Sequence, residues 1–250
     1  MVSLSPNFLR LLMVFVISGG LLFFNVFSSP IVVFIFIVSG WLVSLCLHEF
    51  GHAYAAWRSG DRAITQMGYL SFDLMKYIQP QFSLLMPVVI LVLGGFGMPG
   101  GAVYVNTSMI RNPRQRSAVS AAGPVATLMF LVFMMVPMWL GLDNYVGSDL
   151  FWGSWNYLAR IEVTALIFNL LPVPGLDGYG IIEPFMSYDT QASMWYAKGY
   201  GPWILLMAMM FIPPVNTVYW YVVELLSDIV GIDDALAGIG FTNFFFWRFF

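Results

Sequence analysis

Residues 31–57 read IVVFIFIVSGWLVSLCLHEFGHAYAAW, an apolar run that carries two histidines and a glutamate near its end. A helix that crosses a bilayer needs about 20 mostly apolar residues, and this run supplies them. Ionisable side chains inside such a helix are costly unless they face a cavity or a partner, so they usually mark a functional site. The run therefore predicts a spanning helix with a functional polar group near one end.

The whole chain has the composition of a membrane protein. Of its 250 residues, 60% are hydrophobic and 9% are charged, with a mean hydropathy of +0.81. A soluble domain carries roughly 25% charged residues. The net charge of −3 argues against a nucleic-acid partner, which requires a basic surface. The partner that the composition indicates is the lipid bilayer.

Four further apolar runs predict spanning helices, at about 8–27, 118–140, 155–171 and 203–226. The run at about 82–98 is short and rich in glycine and proline, so we predict a re-entrant segment that enters and leaves on one face of the membrane. The expected fold is a single all-α polytopic membrane domain over the full 250 residues, with five or six transmembrane helices.

Two segments depart from the pattern of spanning helices. Residues 63–73 mix β-branched, aromatic and polar side chains around Gly68, which predicts a short β-hairpin at the membrane surface. Residues 241–250 are almost all aromatic, with Arg248 among them, which predicts an interfacial anchor. Pro213 and its proline neighbour predict a kink in the last spanning helix.

His48 and His52 are four residues apart, so one helix face presents both imidazoles. Two imidazoles placed in this way can reach a single tetrahedral cation at about 2.0–2.1 Å. Glu49 projects from the adjoining angle, where a carboxylate can take a proton from a metal-bound water instead of binding the metal. The alternative is a pair of helix-surface histidines beside an acid, which their location in an apolar run disfavours.

A catalytic zinc ion normally takes three protein ligands and keeps a fourth position open, so a third ligand is required. The chain has no further histidine, and Cys46 faces another side of the helix. Asp177 is the best candidate, because two prolines and a glycine just before it, in the segment NLLPVPGLDG at 169–178, must interrupt the helix. Broken backbone at membrane depth is tolerated where it lines a protein cavity. Glu162 and Glu183 remain weaker candidates for the third ligand. The alternative for Asp177 is a solvated side chain at an ordinary helix end.

Three motifs, in this order, resemble those of the site-2 protease family of intramembrane zinc metalloproteases. HEFGH at 48–52 resembles the H-E-x-x-H helix of the family, AAGP at 121–124 resembles the A-G-P opening of its core helix, and NLLPVPGLDG at 169–178 resembles its second metal motif. The sequence departs from the pattern at Thr127, where relatives often have asparagine, and at Gly175, where a further proline is frequent.

The resemblance implies one zinc ion with the ligands His48, His52 and Asp177. It also implies Glu49 as the general acid/base and Asn169 as a contact to the substrate backbone or the developing oxyanion. The implied activity is that of an endopeptidase of regulated intramembrane proteolysis, which uses metal-activated water to cut peptide bonds within or near the transmembrane segments of membrane-anchored substrates. The alternative function is a membrane metal transporter or a catalytically silent metal-binding scaffold, which needs the ligands but not Glu49.

The basic residues predict how the chain sits in the membrane, because lysine and arginine favour the cytoplasmic side. Basic residues cluster at 58–76 and again at 111–116, whereas the loop at 141–154 contains aspartates and no basic residue. We therefore expect a multi-pass protein of the cell (inner) membrane with its active site toward the cytoplasmic side. This topology requires the segment at 82–98 to re-enter and not to span.

Overall fold

The computed structural model of the chain describes residues 2–77 and 109–248, and all regular secondary structure in these ranges is helical. The α-helices of the described residues are, in chain order, α1 Pro6–Phe23, α2 Pro30–Arg58, α3 Ala63–Gln66, α4 Leu74–Tyr77, α5 Pro113–Trp139, α6 Asp149–Leu170, α7 Asp177–Ile182, α8 Tyr188–Met194, α9 Gly201–Phe211, α10 Pro213–Val230 and α11 Asp234–Phe244. Short 3-10 helices lie at Tyr69–Ser71, Leu142–Asn144, Glu183–Phe185, Tyr196–Gly199 and Phe246–Arg248. The predicted all-α class is confirmed for these residues.

The long helices begin at clear capping signals. α1, α2 and α5 each start with a proline, and the residue before each proline caps the helix with its side chain. These caps are Ser5, Ser29 and Asn112. Ser148 caps α6 in the same way, by accepting a hydrogen bond from the backbone N–H of Phe151. The caps satisfy backbone donors that a helix leaves unpaired at its first turn.

Among the residues that the structure describes, three helices, α1, α2 and α5, are long and apolar enough to cross a membrane. The pair α9 and α10 adds a fourth span if the two count as one helix, which bends by 99° at Ile212. The predicted five or six spans are therefore not confirmed. The predicted kink of the last helix at Pro213 is seen as this sharp bend, and the single helix expected at about 203–226 is instead two helices.

Helix α6 lies at the centre of the described structure and is buried along most of its length. It packs against α1, α2, α5, α10 and α11. The polar residues Asn156, Arg160 and Glu162 lower its hydropathy below that of a lipid-facing span. A helix that is surrounded by protein does not need an apolar surface all round, which explains why α6 is absent from the count of apolar spans.

The β-hairpin predicted at 63–73 is wrong. Residues 63–66 form α3, and residues 69–71 form a 3-10 helix after Gly68, whose φ of 70° lies in the left-handed region. The apolar residues Ile64 and Leu70 pack with α2 in a small core of their own, and this burial explains the pattern that suggested a strand. The predicted re-entrant segment at 82–98 lies outside the described residues.

The aromatic residues at the end of the chain contribute to the core in part. Phe244 and Phe245 are buried, and the ring of Phe244 stacks on Phe34 of α2. Trp247 is exposed and lies edge-on to Phe34. This packing against α2 differs from the purely interfacial anchor that the composition suggested.

Gly240→Ala tests the packing of α11 on α6. A Cβ atom at Gly240 would lie 2.2 Å from the carbonyl oxygen of Gly153, which cannot move without moving α6. We expect the thermal midpoint of the purified protein in detergent to fall by several degrees, because overpacking costs roughly 1–3 kcal/mol. Gly238→Ala is the matched control in the same helix, since its Cβ would meet no atom within 4 Å. An unchanged midpoint for Gly240→Ala would contradict the close packing.

Candidate metal centre

His48 and His52 lie on one face of α2, near its C-terminal end, and both are buried. The helical spacing of four residues brings their rings into an edge-to-face arrangement, with the two Nε2 atoms 3.1 Å apart. Two nitrogen atoms with lone pairs gain nothing from this proximity unless a cation or proton lies between them. The pair therefore presents two donor atoms to one position, as the sequence predicted.

Asp177 reaches the same position from another part of the chain. Helix α6 ends at Leu170, and the prolines and Gly175, whose φ is 98°, keep the backbone out of helical geometry until Asp177 begins α7. Its carboxylate oxygen Oδ2 then lies 3.2 Å from His48 Nε2, and its other oxygen, Oδ1, lies 3.2 Å from His52 Nε2. The structure thus brings the predicted third ligand to the two histidines.

The spacing of these donor atoms fits a tetrahedral zinc ion. Bonds of about 2.0–2.2 Å to zinc place neighbouring ligand atoms roughly 3.3–3.6 Å apart in a tetrahedron. The distances of 3.1 and 3.2 Å are slightly shorter than these values, and all three donors lie within 4.8 Å of one another. Two imidazoles and one carboxylate are also a donor set of catalytic zinc sites. The group of His48, His52 and Asp177 can therefore hold one metal ion.

The Nδ1 atoms of both histidines, which point away from the converging Nε2 atoms, form hydrogen bonds with α5. His52 Nδ1 lies 2.7 Å from the carbonyl oxygen of Val119, and His48 Nδ1 lies 3.0 Å from Thr127 Oγ1. A carbonyl oxygen can only accept, so His52 carries its proton on Nδ1 and leaves Nε2 free for a metal. Thr127 accepts from His48 in the same way when Nε2 of His48 faces a metal. Thr127 departs from the family pattern, and no signal in the sequence predicted its contact with His48.

Gly123, within the motif AAGP, leaves open the place where the ion would lie. A Cβ atom at this position would stand 2.2 Å from His52 Nε2 and 2.6 Å from His48 Nε2. Any side chain at position 123 would therefore occupy the space between the ligands. The motif was visible in the sequence, but the reason for its glycine required the position of α5 against α2.

The other predicted residues lie around this centre. Glu49 is buried on α2 and interacts electrostatically with His52. Asn169 is buried near the end of α6 and lines a small cavity with His48. The weaker ligand candidates have other partners, since Glu162 binds Ser44 and Glu183 pairs with a lysine. Neither belongs to the group of converging ligand atoms.

Comparison with known proteins gives relatives over almost the full chain. The chain is 40% identical over 250 residues to the "Putative zinc metalloprotease Rip2" of Mycolicibacterium smegmatis, covering 97% of this chain and 94% of that protein. The protein of the same name from Mycobacterium tuberculosis is 38% identical over 247 residues, with the same coverage. The chain belongs to the site-2 protease family. The family that the three motifs suggested is thereby confirmed.

A more distant relative gives the same indication of the metal. The "Putative zinc metalloprotease YwhC" of Bacillus subtilis is 29% identical over 201 residues, which are 76% of this site-2 protease family member and 87% of the relative. No protein-family model matches the chain, and no solved structure matches it. The names of the relatives indicate zinc, which agrees with the donor set of the candidate centre.

Gly123→Ala tests the metal centre without touching a ligand. We expect the purified variant to lose most of its bound zinc, because the added methyl group occupies the space between the two Nε2 atoms. Zinc content per protein, measured by elemental analysis, provides the readout, and circular dichroism reports whether the helices remain. Gly20→Ala is the control, because its Cβ would meet no atom within 4 Å. Full zinc content in a folded Gly123→Ala protein would contradict the proposed ion position.

Proposed function

We propose that this protein is an intramembrane zinc endopeptidase that hydrolyses peptide bonds within or near the transmembrane segments of membrane-anchored substrates. One observation carries the proposal: two buried histidines and the half-buried Asp177 have the donor spacing of a zinc site and lie beside Glu49, on and against helices apolar enough to lie in a bilayer. The names of the relatives support a metalloprotease. An intramembrane location is supported by α2, which carries both histidines, and by α5, which binds their Nδ1 atoms, because both helices are candidate spans.

The residues of the centre divide the work of peptide hydrolysis. His48, His52 and Asp177 hold the ion. A bound zinc ion supplies Lewis acidity, which polarises the scissile carbonyl and makes water nucleophilic at neutral pH. Glu49 accepts the proton of the attacking water and returns it to the leaving amine. Asn169 offers its amide to the substrate backbone or to the developing oxyanion.

A transmembrane substrate must unwind before it can be cut, because its carbonyl groups are hydrogen-bonded within the helix. Hydrogen-bonding groups of the enzyme compensate for the bonds that unwinding breaks. The amide of Asn169 and the hydroxyl of Thr127 line the cavity beside His48 and can serve in this way. Since residues 63–73 are helical, pairing of the substrate with a hairpin edge in that segment is not part of the proposal.

We place the active site toward the cytoplasmic side of the cell (inner) membrane, in a multi-pass domain that comprises the whole chain. The contact between His52 and the Val119 carbonyl brings the C-terminal end of α2 level with the N-terminal part of α5. Both ends carry basic residues, with Arg58 at the end of α2 and the exposed Arg114 at the start of α5. Such residues favour the cytoplasmic face, which supports this orientation.

A metal transporter remains the alternative from another class, because transporters also use intramembrane histidines and acids. Transport requires a succession of sites along a path. Within residues 2–77 and 109–248, one group of three potential ligands converges, and it is the group described above. A single three-ligand centre beside a buried glutamate favours hydrolysis.

Glu49→Gln separates the two functions. We expect this variant to retain zinc but to cleave a transmembrane model substrate at least about a hundredfold more slowly than the wild type, because general acid–base catalysis typically contributes that much. Cleavage in lipid vesicles is followed by mass spectrometry, and zinc content is measured on the same samples. Glu224→Gln, which changes an exposed glutamate of α10, is the matched control and should cleave like the wild type. Zinc flux into vesicles with no cleavage by the wild type would support a transporter instead.

A further inference from the structure

A small cavity lies beside the candidate metal centre, between α2, α5 and α6. Its polar lining consists of Ser44, His48, Thr127, Glu162 and Asn169, and the remaining wall is apolar. His48 is a proposed metal ligand, and Asn169 is the proposed contact to the substrate backbone. An occupant of this cavity would therefore lie next to the reacting bond.

Glu162 brings an unpaired acceptor to this cavity. Its side chain is almost completely buried, at 1% exposure, and its Oε2 atom accepts a hydrogen bond from the hydroxyl of Ser44. Its Oε1 atom has no hydrogen-bond partner among the described residues. A buried acceptor without a donor is costly. The cavity therefore favours an occupant that donates a hydrogen bond to Glu162.

Thr127 brings a donor to the same cavity. With Nε2 of His48 facing a metal, the proton of that imidazole lies on Nδ1, and Thr127 Oγ1 accepts it at 3.0 Å. The hydroxyl proton of Thr127 is then available for donation, and no acceptor for it is found in the described part of the chain. Glu162 and Thr127 thus offer an acceptor and a donor to one small occupant.

We propose that this cavity is a substrate subsite for a single hydroxyl group, supplied by a serine or threonine next to the scissile bond. The hydroxyl donates to Glu162 Oε1 and accepts from Thr127, a combination that neither a methyl group nor a carbonyl oxygen can provide. The proposal rests on the proposed function, because it assumes a peptide substrate. Water has the same hydrogen-bonding chemistry and is the other source of a hydroxyl at this place.

A structural role of Glu162 makes a different prediction. The bond between Ser44 and Glu162 joins α2 to α6, four residues before His48 on one helix and seven residues before Asn169 on the other. If this bond only held the helices together, removing it would affect every substrate equally. Selection among substrates is therefore the readout that separates recognition from support.

The experiment compares matched substrates with purified full-length protein in lipid vesicles. One transmembrane model peptide is made with serine, threonine, alanine or valine at each position flanking its cleavage site, and kcat/KM is measured for each peptide. The enzymes are the wild type, Glu162→Met, Glu162→Gln and Glu224→Met, the last being a control on the exposed face of α10. Zinc content is measured for every enzyme. Binding affinities of the same peptides to zinc-loaded Glu49→Gln protein, with and without Glu162→Met, give a readout that does not depend on cleavage.

We expect the wild type to prefer serine or threonine over alanine at one flanking position by about tenfold, which is the size of effect of one buried hydrogen bond. Glu162→Met should abolish this preference, because it removes the acceptor while keeping a similar length. Glu162→Gln should reduce it, since an amide can turn its NH2 group instead of its oxygen toward the cavity. Glu224→Met should retain it in full, and the Glu49→Gln binding series should follow the same order.

Three results would overturn the subsite. The first is an equal kcat/KM for all four residues at every position, together with a Glu162→Met protein that has full zinc content and cleaves all substrates equally slowly. This result would assign the cavity to water. A preference that survives in both Glu162 variants would place recognition elsewhere. Equal binding of all peptides to the Glu49→Gln protein would exclude the subsite without reference to cleavage. If the wild type cleaves none of the peptides, it is the proposed function that fails.

Discussion

The meeting of two imidazoles and one carboxylate is the contact on which the rest of the structure depends. Polar groups enclosed among apolar helices are costly to leave unpaired, so the three groups must find one another or a shared cation. Helix α2 supplies the histidines, and the proline- and glycine-rich break after α6 turns Asp177 toward them. Helix α5 completes the arrangement, because Val119 and Thr127 orient the imidazoles and Gly123 leaves space between them.

The chemistry of the centre was more predictable from sequence than its surroundings. The helical spacing of His48 and His52, and the helix-breaking residues before Asp177, depend on local backbone geometry, which a sequence encodes directly. The contacts of Thr127 and Val119 depend on how α5 lies against α2, and no local pattern encodes that placement. The same limit applies to residues 63–73, where burial of apolar side chains under α2 produced a pattern similar to that of a strand.

Fewer spans are identified among the described residues than the sequence suggested, and two causes account for the difference. Hydropathy measures how well a helix suits lipid, whereas α6 is in contact with protein over most of its surface and carries polar residues such as Asn156 and Glu162. A run of apolar residues also does not ensure one straight helix, because consecutive prolines divide α9 from α10. The first difference arises from contacts between segments that are far apart in the sequence, and the second arises from local backbone geometry.

Asp177 comes from a short helix that is distant in sequence from the two histidines, so an ion at this centre would join α2 to α7 as a crosslink. A ligand that binds only the folded state adds to stability in proportion to the logarithm of its free concentration. Zinc supply would then govern the lifetime of the protein as well as its activity. A cell starved of zinc would lose the protein itself to quality-control degradation, in addition to losing its catalytic activity.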